Sequence, residues 1–129
     1  MFAGQVDGAT VVDAKEAQTL RRIIGGIAPD VLLTHWPIDS HLDHQAASIL
    51  TYRAWLAGGQ RAGLFYFEVN QGEQTMDFRP TRYVDITSVR EKKKAALFAH
   101  NSQDGESCEV QDARSREITH QESLLHYAR

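Results

Sequence analysis

Pro29-Asp30-Val31-Leu32-Leu33-Thr34-His35-Trp36-Pro37-Ile38-Asp39-Ser40-His41-Leu42-Asp43-His44 is the stretch that decides how this chain folds and where its chemistry sits. Pro29 ends any preceding helix, because it has no N–H and its ring clashes with the turn before it. Val31-Leu32-Leu33 is a short all-apolar run, best explained as a strand buried on both faces of a parallel sheet. Three histidines and two aspartates then fall within the eleven residues from Thr34 to His44. Imidazole nitrogens and carboxylate oxygens bind borderline-soft divalent metals and move protons near neutral pH. In open α/β sheets ligand sites lie beyond the carboxyl ends of the strands, which is where this loop falls.

Upstream, Asp13 and Glu16 have the spacing of a helix N-cap with its capping-box partner. Leu20, Ile23, Ile24 and Ile27 then repeat at i, i+3, i+4 and i+7, one apolar stripe of a helix. Gly25-Gly26 weakens its last turn. This helix–strand order is one half of a βαβ crossover, whereas residues 1–12 read as a loop or a short extended piece. Downstream, a second helix is expected from Leu42 to about Leu56, with Ala47, Leu50 and Ala54 on one face and Gly58-Gly59 closing it. Leu64–Val69 is an aromatic and apolar strand, followed by a turn at Asn70–Glu73. Tyr83–Ile86 is a further strand. Ser88 and Glu91 form a capping box for a third helix over about Val89–Ala99. Residues 101–112 read as a polar loop, and a final helix is expected over about Ala113–Tyr127. Alternating helices and strands indicate an α/β domain with a mostly parallel sheet flanked by helices, spanning residues 1–129 as a single domain.

Composition narrows the classes. The chain is 42% hydrophobic and 24% charged, with a formal net charge of −3, ordinary for a globular protein. No basic stripe marks a nucleic-acid partner, and Lys92-Lys93-Lys94 reads as a solvated helix face. Cys108, the single cysteine, excludes an internal disulfide and fits a reducing compartment. Nearby Glu106, Glu109 and Asp112 raise a thiol pKa, so Cys108 is read as no nucleophile. No signal peptide is visible and no apolar run reaches the length of a membrane span, so a cytoplasmic location is expected.

Within the cluster, His41-Leu42-Asp43-His44 carries the argument. A helix starting near His41 places His41 and His44 at i and i+3, on neighbouring points of its first turn. One ring can then hold a metal while the other faces substrate. Asp43 can accept a hydrogen bond from a ring N–H, fixing a tautomer. The same string also fits a plain helix start with capping and surface residues. His35 fits a ligand, a pocket wall or a buttress for Trp36. Asp39 fits a group behind a ligand or an ordinary turn residue. Glu68 and Asp85 fit cleft residues or strand-end caps. His100 matches a helix C-terminus, and His120 and His126 are assigned to surface or packing.

These residues resemble the second metal motif of the PIG-L (LmbE-like) zinc-dependent N-deacetylases. Phe65-Tyr66-Phe67-Glu68-Val69, Arg79-Pro80-Thr81-Arg82-Tyr83-Val84-Asp85-Ile86-Thr87 and His100-Asn101-Ser102-Gln103 resemble later stretches of the same family, so that most of residues 4–104 is covered. The resemblance implies a Rossmann-like fold and hydrolysis of an N-acetyl group from an N-acetylglucosamine-type sugar or conjugate by zinc-bound water. It assigns His44 as a zinc ligand, His41 as the oxyanion-stabilising or general-acid histidine, and Asp43 as the support of that histidine. The family's N-terminal H-P-D-D motif, source of the remaining ligands and the general base, has no counterpart here, and no histidine precedes His35. A sheet lacking its first strands is therefore expected, with exposed edge and a tendency to self-association. Weak or absent activity is expected too, because catalytic zinc takes three protein ligands. Two rivals remain: a remodelled metal site built from His35, His41 and His44 with Asp39 or Asp43, and a non-catalytic sugar-binding or assembly module.

Overall fold

A computed structural model describes residues 4–69, 74–99 and 121–126 of the chain. The chain divides into two compact units, residues 1–81 with 124–129, and residues 82–123.

The first unit carries the cluster. Helix α1, Ala14–Ile27, begins as expected, with the Asp13 carboxylate accepting the Glu16 amide at 2.8 Å. Gly25 and Gly26 stay helical, and the helix ends on Ala28 in the left-handed region (φ 50°, ψ 55°), whose N–H donates to the Ile24 carbonyl. Strand β1, Val31–His35, pairs in parallel with β2, Gly63–Phe67, in the register Val31↔Gly63 to His35↔Phe67. Between them helix α2, Leu42–Ala57, runs back along the sheet and closes at Gly58. It packs against β1 on one side and α1 on the other.

Strand alternation decides what is buried. Leu32 and Thr34 face α2, where the Thr34 and Thr51 hydroxyls lie 3.4 Å apart. Leu64 and Tyr66 on β2 join Trp55 and Ala62 in the core, with Leu32 and Trp36 packed against them. The Trp55 indole N–H donates to the Ala62 carbonyl at 2.8 Å, so the largest core ring has its polar atom satisfied. Val31 and Leu33 point the other way and are 51% and 59% exposed. The expectation that β1 is buried on both faces is thus corrected: α2 covers one face, and no described helix of this unit covers the other.

The final strand is a second correction. Residues Gln121–His126 form β4, not the end of a helix, and Leu124–His126 run antiparallel to Phe67–Phe65. Pairing with β2 overrides a helical pattern that was weakly amphipathic to begin with. The α/β class holds, and the sheet of this unit is mixed. Residues 113–120 of the expected helix, together with Cys108, His100 and His120, lie outside the described residues, as does the turn at 70–73.

The second unit contains strand β3, Arg82–Asp85, a single 3-10 turn over Thr87–Val89, helix α3, Arg90–Phe98, and the start of β4. Its helix entry differs from the expected capping box. The Asp85 carboxylate accepts both the amide and the hydroxyl of Thr87, at 2.9 and 2.6 Å, so Asp85 is a strand-end cap. Lys92 and Lys93 lie on the exposed face of α3, while Lys94 places its ammonium 5.4 Å from the centre of the Phe98 ring. Among the described residues no helix is long and apolar enough to cross a membrane.

Candidate metal and catalytic site

The site forms where β1 ends and α2 begins. After His35 the chain crosses Trp36-Pro37-Ile38 and reaches Asp39, which makes an isolated antiparallel bridge to Thr75. The Ser40 amide donates to the Gln74 carbonyl at 2.8 Å and the Met76 amide to the Ile38 carbonyl at 2.9 Å. The Trp36 indole donates to the Met76 carbonyl at 3.0 Å, while its ring meets Tyr66 and Phe78 edge-on. Residues 38–40 are therefore pinned as firmly as a strand, although they read as a loop.

Asp39 is the centre of this arrangement and is 1% exposed. Its Oδ1 accepts the His41 amide at 2.8 Å and faces His44 Nδ1 at 3.1 Å. Its Oδ2 faces the Thr75 hydroxyl at 3.3 Å, and its carbonyl accepts the Gln45 side-chain amide at 2.6 Å. A carboxylate can only accept, so the proton of neutral His44 sits on Nδ1 and the lone pair on Nε2. Of the two readings open for Asp39, the geometry favours a group standing behind His44 over an ordinary turn residue.

His41 is the N-cap of α2, and its Nδ1 accepts the Asp43 amide at 3.2 Å. With Nδ1 an acceptor, the proton of neutral His41 is on Nε2. The two histidines thus carry opposite tautomers, His44 offering an acceptor and His41 a donor at Nε2. Their rings stack, centroids 4.5 Å apart. His35 stacks on His44, at 4.2 Å and 9°, and leans on Phe67 at 4.7 Å. Burial first, and then His44, hold the His35 ring below the usual histidine pKa, with Asp39 acting in the opposite direction. A neutral His35 is what a close stack of imidazoles requires, since like charges at this distance repel.

The stacking weighs against one rival. Lone pairs of a ring lie in its plane, and a zinc ion sits about 2.0–2.1 Å from a ligating nitrogen. Two nearly parallel rings 4.2 Å apart cannot both direct a lone pair at one ion. As placed, His35 is a wall and a brace for His44, and the rings of His35 and His44 do not converge on one point.

Asp43 also departs from its expected place. Among the described residues its carboxylate accepts no ring N–H; it accepts the Gly8 amide at 2.6 Å and the Thr10 amide at 3.1 Å. These bonds, the Gly8 amide foremost, lower its pKa to about 2. Its link to His41 runs through the backbone amide. The residue pins the N-terminal loop over the first turn of α2, and so brings Asp7 alongside. Donor atoms of Asp7, His41 and Asp43 lie within 4.8 Å of one another, the one such group of three among the described residues. Glu68, just past the end of β2, is half-buried, and burial raises its pKa.

Thr75 and Asp7 were not marked by the sequence. Nothing local distinguishes Thr75, because its partner is 36 residues away. Asp7-Gly8 carries a turn signal, realised as positive φ at Gly8, but the dipeptide does not reveal that the turn folds onto Asp43.

No family model and no curated protein matches this chain. Solved structures similar to it include two α/β proteins. The conserved protein TT1542 from Thermus thermophilus superposes with a TM-score of 0.79 at 24% identity, over 97% of this chain and 64% of that one. GalB, the 4-carboxy-2-hydroxymuconate hydratase of Pseudomonas putida, gives 0.75 at 23% identity, over 93% and 61%. This chain spans less than two thirds of the length of either, and shares with them an α/β fold.

Proposed function

We propose that this chain carries part of the site of a zinc-dependent hydrolase of the N-deacetylase type, acting on an N-acetylated amino sugar or its conjugate. The observation that carries the reading is His44, whose Nδ1 is held by the buried carboxylate of Asp39 and whose Nε2 is left with its lone pair. A carboxylate behind an imidazole is the usual way of fixing the tautomer and plane of a metal-ligating histidine. The donor type and orientation fit one coordination position of zinc. Bound there, the ion would supply Lewis acidity toward an amide carbonyl.

The residues of this chain then divide the remaining work. His41, at the N-terminus of α2, offers an Nε2–H beside His44. Such a donor suits the oxygen of an acyl group that gains negative charge during attack, and the positive dipole end of α2 reinforces it. His35 excludes water from one face of His44 and holds its plane. Asp43 keeps the 7–10 loop in place over the helix start. His44 is one protein ligand, short of the three expected for catalytic zinc, so weak zinc binding and little or no turnover are expected of this chain alone.

Zinc titration by calorimetry tests the assignment. His44→Ala is expected to abolish the heat seen with the native protein. Undiminished binding in His44→Ala, together with loss in Asp7→Ala, would move the metal to the Asp7, His41 and Asp43 group and overturn the reading.

A further inference from the structure

The buried carboxylate of Asp39 is held from both sides. Oδ1 takes two donors, His41 N–H and His44 Nδ1–H. Oδ2 faces one described donor, the hydroxyl of Thr75. Thr75 is itself buried, at 6% exposure, and its oxygen accepts the Val69 amide at 3.0 Å. An amide can only donate and a carboxylate can only accept, so the single hydroxyl proton of Thr75 has one direction to point. The result is an arrangement of fixed polarity: Val69 N–H donates to the Thr75 oxygen, Thr75 O–H donates to Asp39 Oδ2, and His44 Nδ1–H donates to Asp39 Oδ1.

We propose that Thr75 is a positioning residue for His44, acting through Asp39. The inference rests on the reading of His44 as a metal ligand, but its first consequence, the tautomer of His44, belongs to the metal-free chain. Without the Thr75 proton, Oδ2 becomes an ionised oxygen in the interior with its donor removed, which is costly. The carboxylate relieves this by turning about its Cβ–Cγ bond to share the donors on Oδ1, or by admitting water. Either response takes Oδ1 off the line of His44 Nδ1. The tautomer of a histidine is set by the hydrogen bond its other nitrogen makes. Once that bond is lost, His44 populates the Nε2–H form, in which Nε2 has no lone pair to give a metal. Thr75 arrives on the short bridge segment 74–76, so the end of β2 and the start of α2 are tied together through one hydroxyl.

The test uses the full chain labelled with 15N at histidine, in alkaline buffer where the imidazoles are neutral, with zinc calorimetry alongside. In the native protein the His44 resonances should show Nδ1–H. Thr75→Val, which keeps shape and removes the hydroxyl, should mix the tautomers and weaken zinc binding about 10-fold, the low end of the loss seen when a group behind a ligand is removed. Thr75→Ser should restore both, a rescue that a purely packing role for the threonine would not give. Thr75→Val with native tautomer and native zinc affinity overturns the proposal. If Thr75→Val fails to fold, Thr75→Ala serves instead, since it removes the same hydroxyl with less bulk. The same tautomer mixing is expected, and a native spectrum with native zinc affinity again overturns the proposal. A tautomer that responds to Thr75→Val in a protein whose zinc binding ignores His44→Ala leaves the positioning chain standing and removes the metal role alone.

Discussion

Asp43 shows how a residue can lie in the right place for a different reason from the one its neighbours suggest. Between two histidines in sequence, it reads as the partner of an imidazole, yet its carboxylate serves two backbone amides more than thirty residues earlier. What was legible at this scale was residue type and proximity: His41 and His44 do share the first turn of α2, and Asp39 does stand behind His44. What was not legible was any partner supplied from afar, as Thr75 and Gly8 are, because hydrogen bonds across 33–36 residues leave no spacing to read. The lowered pKa of Asp43 has a definite consequence with pH. Its value of about 2 in the folded chain lies below its ordinary 3.8, so between these values the unfolded or undocked chain binds more protons. Docking of the loop is therefore fully favoured above pH 3.8 and is lost as pH falls through 2. Protection of the Gly8 and Thr10 amides against hydrogen exchange, relative to their intrinsic rates, should be lost across that window. Asp43→Asn should lack that protection at every pH, since one amide would then face an NH2. Undiminished protection of both amides in Asp43→Asn would show that the carboxylate does not hold the loop.

At the scale of elements, local signals were sound where the chain is locally determined. Asp13 caps α1, Pro29 follows its end, and the apolar runs at Val31 and Leu64 became paired strands. They failed where an element depends on a distant neighbour, as β4 does on β2, and where Ser88 falls inside a 3-10 turn whose first residue, Thr87, is held by Asp85. The end of α1 offers a clean test of local determination. Ala28 sits at φ 50°, a left-handed conformation that an L side chain resists and glycine does not. Glycine gives back part of that gain through its freer unfolded chain. Ala28→Gly should thus stabilise the fold by about 0.5–1 kcal/mol in urea unfolding, whereas an unchanged or lower midpoint would mean that the helix does not end this way.

In the first unit as a whole, the core lies on one side of the sheet. Leu32, Leu64, Tyr66 and Trp55 close the space between the strands and α2, while Val31 and Leu33 lie largely open on the opposite face. The sequence showed that β1 is apolar throughout; it could not show which of its faces is covered, because alternation is invisible when every position is hydrophobic. Two substitutions of the same residue type separate the faces. Leu64 is fully buried, so Leu64→Ala removes apolar contact and leaves a cavity, at a cost of about 2–5 kcal/mol. Leu33 pairs in register one position further along the same sheet, but Leu33→Lys places a flexible charged chain in solvent and should change stability by no more than about 0.5 kcal/mol. It should also lower binding of a hydrophobic dye, because an apolar surface has been broken. The physical content lies in the contrast. Comparable losses from both substitutions would require Leu33 to be packed, and hence a covering layer over β1 that the described residues of this unit do not provide.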